Sequence, residues 1–310
     1  MQKFLLASTA LVLSAGIAAA EVTVGGDGRM GVVYQENAAG DNEFSFNSRI
    51  RISFAASGET DGGLQFGGSI RADNAGTTDV SAELDGDDGV ITTTEGGGVN
   101  GLDGSVFVSG AFGKLSMGDV NSAAEAAVGD VSGVGYTGIG DFNELTYLQD
   151  FATNESVLYE YSIGDATVYA SIDQINNDDD IISVGADYTF GTYTFSLAYE
   201  DADGVGDHII GGVSAGFGSI TLKAIYGQFD PDGADDQEQY AVSVDFATGP
   251  VVVTGFVSDQ FEEVVDDLSY GIGASYDLGG GASLKGGVAH DGTAGDDSDI
   301  RADFGISMSF

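Results

Sequence analysis

The chain of 310 residues contains no cysteine, so neither a disulfide framework nor a thiolate metal site holds it together. Prolines number only two, against fifty glycines, a balance that suits many strands joined by tight turns. Positive charge is scarce as well: nine Lys and Arg face fifty Asp and Glu, for a net charge of −41. A protein that grips phosphate backbones needs a basic footprint, so nucleic acid is ruled out as a partner, and an anionic headgroup surface is disfavoured. Beyond residue 20 no apolar run approaches the length of a membrane helix. If the chain lies in a membrane, it must cross as a closed barrel, because only helices and closed barrels satisfy every backbone group in lipid. Disorder, the usual fate of so acidic a composition, is countered by aromatic and β-branched residues that recur periodically throughout.

What is present begins with the first twenty residues, MQKFLLASTALVLSAGIAAA. Lys3 supplies a positive n-region, Phe4 to Leu13 an apolar stretch, and Ala18-Ala19-Ala20 a small-residue cleavage site before Glu21. These features predict a secretory signal peptide over 1–20 and a single exported domain over 21–310. Its removal takes away Lys3 and no acidic residue, so the mature chain carries −42.

From Val22 to Phe310 the pattern alternates with period two. Val184, Ala186, Tyr188 and Phe190 share one face, with Ser183, Gly185, Asp187 and Thr189 on the other. A soluble sandwich alternates too, but two features favour a membrane barrel. Aromatics such as Tyr188, Phe190, Tyr193, Tyr199, Tyr226 and Tyr276 gather near strand ends, as interfacial girdles require. Short connections (Gly191, Gly218, Thr248-Gly249) alternate with longer acidic ones (175–180, 202–207, 230–237, 291–298), as in barrels with tight turns on one side and loops on the other. Sixteen segments are long enough for tilted crossings, from 22–34 to 299–310. The expected fold is therefore all-β: a transmembrane antiparallel β-barrel of about sixteen strands. Two connections are much longer than the rest. Residues 74–103 read as an extracellular loop. Residues 120–154 mix aromatics (Tyr136, Phe142, Tyr147, Phe151) with acids, and are expected to fold into the lumen as a long third loop.

The same alternation places the arginines. With Ile50, Ile52 and Phe54 outward, Arg49 and Arg51 point inward; likewise Arg29, Arg71 and Arg301 fall on the inner face of their strands. These strands become neighbours if the first and last pair, so five guanidinium groups line one stripe of wall. On a lipid face an arginine costs roughly 2–4 kcal/mol at mid-bilayer, whereas a water-filled lumen tolerates it. The stripe thus predicts a hollow barrel, a pore. Asp130, Asp141, Glu144 and Asp150 of the third loop are the expected counter-charges, giving a constriction with cations on the wall, acids on the loop and a transverse field between them.

Other signals are weaker. His208 and His290 read as exposed residues at loop–strand junctions, with no nucleophile arranged to make a catalytic site. Gly25-Gly26-Asp27-Gly28 has the glycines of a phosphate loop but alternates as a strand with no helix after it. Acidic clusters at Asp85–Asp88, Asp178–Asp180, Asp235–Asp236 and Asp296–Asp299 read as solvated loops; the alternative is structural calcium, bridging lipopolysaccharide or subunits. They match no EF-hand or Gly-Gly-x-Gly-x-Asp repeat, no metal ligand is singled out, and no cofactor is expected.

The stretches EVTVGGDGRMGVVYQ, GSVFVSGAFGKLSMGDV and RADFGISMSF, ending in Phe310, resemble the general diffusion porins of purple alphaproteobacteria, the Rhodobacter type, and the resemblance spans 21–310. It implies a homotrimer of sixteen-stranded barrels in the bacterial outer membrane, passing small hydrophilic solutes by diffusion and catalysing nothing. It also implies an inward third loop whose acids face wall arginines, and a terminal Phe310 read by the outer-membrane assembly machinery. Where enteric relatives carry Pro-Glu-Phe-Gly-Gly at the loop tip, this chain has GIGDFNELTY. A lean towards cations is expected from the fifty carboxylates. A solute-specific channel and a secreted calcium-binding adhesin remain as alternatives.

Overall fold

The structure, a computed structural model, describes residues 21–36, 42–74, 83–84, 91–92, 99–151, 155–173, 180–260, 268–292 and 300–310. The expected signal peptide, the remainder of 75–98, and the acidic clusters around 85–88, 178–179 and 296–299 lie outside the described residues.

Sixteen strands close into one barrel: β1 (Glu21–Glu36), β2 (Asn42–Glu59), β3 (Gln65–Asn74), β4 (Val99–Gly110), β5 (Gly113–Gly118), β6 (Ser156–Ile163), β7 (Ala166–Asp173), β8 (Ile181–Phe190), β9 (Tyr193–Ala202), β10 (Gly206–Phe217), β11 (Ile220–Pro231), β12 (Gln237–Thr248), β13 (Val251–Asp259), β14 (Ser269–Gly279), β15 (Ala282–His290) and β16 (Ile300–Ser309). Each strand runs antiparallel to the next in sequence, and β1 pairs with β16 to seal the wall. A separate ribbon pairs residues 83–84 with 91–92.

Cross-strand register turns the alternation into two surfaces. Between β8 and β9, Val184 lies opposite Tyr199, Ala186 opposite Leu197, Tyr188 opposite Phe195 and Phe190 opposite Tyr193. Their large side chains are exposed, as are Met30, Ile50, Val244, Ile272 and Phe304 elsewhere round the wall. An apolar exterior of this extent is unstable in water and stable in lipid. The turns between β8 and β9 and between β12 and β13 are two residues long, with Gly191 and Gly249 at φ 64° and 57°, a conformation L side chains rarely adopt. Tyr193, Phe217 and Tyr276 sit towards this turn end, and Tyr199, Tyr226 and Tyr270 towards the loop end, so aromatics flank the apolar band on both sides.

The one marked shift in a boundary is β4. It begins at Val99 rather than 104, because Val99 and Asn100 pair with Asn74 and Asp73 beyond a register shift that sets two residues of β4, 101 and 102, against Ala72 of β3. The third loop also departs from irregularity: it opens with a helix, α1 (Ala123–Val128), and closes with a 3-10 turn, Leu148–Phe151. Here lies most of the buried apolar surface. Val131, Val134, Ile139, Phe142 and Leu145 of the loop pack with inner-face residues such as Ile210, Ile225 and Phe256. The core of this protein is the contact between loop and inner wall.

Candidate pore constriction

The path of the third loop follows from the hydrogen bonds it makes with inner-face side chains. At the start of α1, the Ala123 and Ala124 amides donate to Ser171 Oγ of β7 (2.8 Å) and Ser183 Oγ of β8 (2.9 Å), while the Glu125 amide donates to the N-cap Ser122 Oγ (3.0 Å). Three otherwise orphaned helix amides are thereby satisfied. At the other end of the helix Lys223 Nζ of β11 donates to the Val128 carbonyl (2.6 Å), a cation placed at the negative end of the peptide dipoles. Farther round, the Ser132 amide donates to Ser243 Oγ and its hydroxyl to Asp245 Oδ2 (2.7 Å), both on β12. The tip arrives at the seam between β16 and β1. There the Tyr136 ring lies over Gly31 and Gly305, at both of which a Cβ would meet the ring within 3 Å.

At the tip, Asp303 of β16 accepts from the Tyr136 amide (3.0 Å), the Thr137 amide (2.8 Å) and the Thr137 hydroxyl (2.6 Å). Arg29 Nη1 of β1 in turn donates to the Thr137 carbonyl (2.9 Å). Burial and the Asp303 charge push the Tyr136 hydroxyl up from its ordinary pKa. The chain then doubles back across the barrel. Ser258 of β13 donates to the Phe142 carbonyl, Gln260 to the Glu144 carbonyl, and the Thr146 amide donates to Gln239 Oε1 of β12 (3.0 Å).

All five expected wall arginines stand together on β16, β1, β2 and β3, with Arg29 directly opposite Arg49. Like charges in register are repulsive, and the wall interleaves acids among them. Arg49 Nη2 lies 3.3 Å from Asp27; Asp73 bridges Arg51 Nε (2.9 Å) and Arg71 Nε (2.8 Å); Arg301 Nη2 lies 2.6 Å from Asp291 and its guanidinium covers the Phe142 ring at 4.8 Å. Asp27, Asp73, Asp291 and Asp303 were not singled out from the sequence. Asp27, Asp73 and Asp303 were readable, since each lies two residues from an inward arginine and so shares its face.

The four expected loop acids separate. Asp141, with φ 55°, lies near enough for its charge to act on Arg29. Asp130 sits elsewhere: it accepts from the Leu145 amide (2.9 Å), and burial pushes its carboxyl up against the pull of that bond and of Lys223. Glu144 is exposed, and Asp150 falls in the 3-10 turn.

The histidines correct the sequence reading, which had both exposed. His208 is fully buried beneath the loop, together with Glu200 and Gln239. Gln239 Nε2 donates to the Thr146 carbonyl (2.8 Å) and also faces His208 Nε2 (3.1 Å), which makes that ring nitrogen the acceptor. The ring proton then sits on Nδ1 and is donated to Glu200 Oε2 (3.0 Å), which also accepts from the Leu148 amide (3.0 Å). His208 was misread because only the folded loop covers it. His290 is buried against the Tyr270 ring, centroids 5.0 Å apart. Among the described residues no group of three or more acidic, His or Cys side chains is arranged to hold a metal ion.

A family model described as Gram-negative porin matches residues 7–296. A porin of Rhodobacter capsulatus is 37% identical, over 94% of this chain and 100% of the relative. A porin structure refined at 1.8 Å superposes with a TM-score of 0.74 at 35% identity, covering 94% of this chain and 100% of the other. A variant of Rh. blastica porin gives a TM-score of 0.71 at 22% identity over 93% of this chain and 100% of that one, a likeness of fold.

Proposed function

The chain belongs to the Gram-negative porin family and is an outer-membrane channel protein, and from that premise we propose that small hydrophilic solutes and ions diffuse through it past a constriction between the third loop and the arginine wall. The observation that carries this reading is the loop tip seated at the seam of the arginine strands, with Arg29 donating to Thr137 and Asp141 close by. Water and polar solutes crossing between fixed charges of both signs orient in their field, while an apolar solute must displace ordered water without replacing its hydrogen bonds. The reading takes the lumen as open and the assembly as a homotrimer in the outer membrane, in contact with its lipids.

A lean towards cations is part of the proposal. Three aspartates, Asp27, Asp73 and Asp291, partner four of the five arginines, so much of the positive charge of the stripe is compensated locally. The mature chain as a whole remains strongly acidic, and fields from its mouths attract cations. Single-channel recording of the 21–310 protein in planar bilayers tests this. Stepwise conductances in groups of three, with reversal potentials on the cation side in a salt gradient, are expected; an anion-side potential overturns the charge argument, and silence from inserted protein overturns the open pore. Replacing Arg49 and Arg51 with uncharged residues is expected to alter selectivity and admit larger solutes, and an unchanged conductance and size limit removes them from the constriction.

A further inference from the structure

We infer that Asp303 is a positioning residue for permeation: it sets the aperture by clamping the loop tip, independently of any charge it shows to passing ions. The inference rests on the reading of the loop as the constriction. Asp303 is 7% exposed and spends its carboxylate on the tip, accepting from two adjacent backbone amides and one hydroxyl. Backbone amides are fixed donors, so the bonds dictate where Tyr136 and Thr137 stand rather than merely tolerating them. A charge-assisted bond of this kind is roughly twice as strong as a neutral one.

The surroundings are shaped to the same end. A Cβ on Gly135 would lie 2.4 Å from Asp303 Oδ1, and one on Gly305 or Gly31 would strike the Tyr136 ring, so the wall and the loop both omit side chains where the clamp closes. The clamp also reaches the wall cations. Thr137 donates to Asp303 through its amide and hydroxyl and accepts from Arg29 through its carbonyl, so one residue ties the last strand to the first through the loop. Releasing Thr137 therefore frees the tip and removes the bond partner of Arg29. Besides the serine contacts of α1 and Phe142, the fold holds the loop by two attachments centred on buried carboxylates, this one at the tip and the Glu200–His208–Gln239 group where the loop returns.

The test compares Asp303→Asn, which keeps the shape and an oxygen for the tip but removes the charge and turns an NH2 towards the Tyr136 amide, with Thr137→Val, which removes the hydroxyl bond and changes no charge. Each is reconstituted into liposomes and bilayers. Uptake of neutral sugars near the size limit is expected to rise in both, and brief excursions of the single-channel current are expected to become about tenfold more frequent in Asp303→Asn, the factor for losing about one charge-assisted bond. A shift of reversal potential with unchanged sugar uptake and quiet current in both variants overturns the inference and leaves Asp303 as a charge alone. A third protein lacking residues 133–142 separates the two readings. If it, too, conducts and sieves as the parent does, the loop is not the constriction; if it is wider while both point variants match the parent, only the role of Asp303 is lost. Should Asp303→Asn fail to fold, Thr137→Val decides.

Discussion

A methyl group built on Gly185 would stand 2.6 Å from the Ala123 carbonyl oxygen and 2.7 Å from the Ala127 side chain, both of the loop helix. Glycine weakens a strand, but on the inner face of β8 it leaves the room in which α1 lies. Gly185→Val is expected to push the helix off the wall at a cost of about 1–3 kcal/mol, the usual range for overpacking, seen as faster proteolysis within the loop while the barrel stays folded. Asp73 makes the complementary case for charge. It bridges Arg51 and Arg71, and Asp73→Asn removes the carboxylate that the two guanidinium groups share. Reversal potentials should move towards anions, and an unmoved potential would place that pair away from the ion path. The arginines themselves were legible because alternation alone decides which face a strand residue occupies. Their partners were not paired in advance because the contacts need cross-strand register: Asp27 opposite Arg51, and Arg51 opposite Asp73, are facts about two strands at once.

The strands of this barrel are long and periodic and could be placed within a few residues, whereas the six-residue helix α1 could not. Six residues hold less than two turns, too few for a period to show, and a helix so short owes its stability to what it touches. One local sign was present: Ser122 followed three residues later by Glu125, the spacing of a capping box, and Ser122 does accept from the Glu125 amide. The route of the loop across the lumen had no such sign, because its anchors on β7, β8, β11, β12 and β16 are scattered along the chain. Within the loop Asp130 has a consequence that can be measured. Burial raises its carboxyl above the ordinary carboxylate pKa, so the folded state holds this proton to higher pH than the unfolded chain does. Its contribution to stability is therefore most favourable at low pH and declines as pH climbs past the ordinary carboxylate value towards the raised one. Asp130→Asn keeps an oxygen for the Leu145 amide and does not titrate. Thermal unfolding in detergent should show that decline in the parent and not in the variant; parallel pH profiles would refute the assignment.

For the whole molecule the governing fact is inversion: apolar residues cover the exterior, and the buried core lies between loop and inner wall. All eight basic residues of 21–310 lie at inward positions of their strands, including Lys114, Lys223 and Lys285, so none faces the lipid. Strand number was legible because lipid demands a strict apolar face from each crossing strand, which leaves alternation unblurred. β13 obeyed this least, since Phe256 on its inner face packs under the loop. Closure depends on the ends. Phe310 and Gly26 exchange backbone bonds of 2.7 and 3.0 Å, and the Phe310 ring covers Gly26 on the outside. Deleting Phe310 removes that exchange, a loss of about 1–3 kcal/mol, and should lower the yield of folded barrel on refolding into detergent; an equal yield would make the last residue dispensable to the fold. The ladder that seals the wall joins Asp27 to Ser309 at one limit and Tyr34 to Ala302 at the other, so closure brings together the two strands of the barrel farthest apart in sequence. Until those two strands pair there is no ring and hence no hole. A sheet short of either end strand is an open ribbon with two raw edges, so the hole comes into being in a single step, when those edges meet.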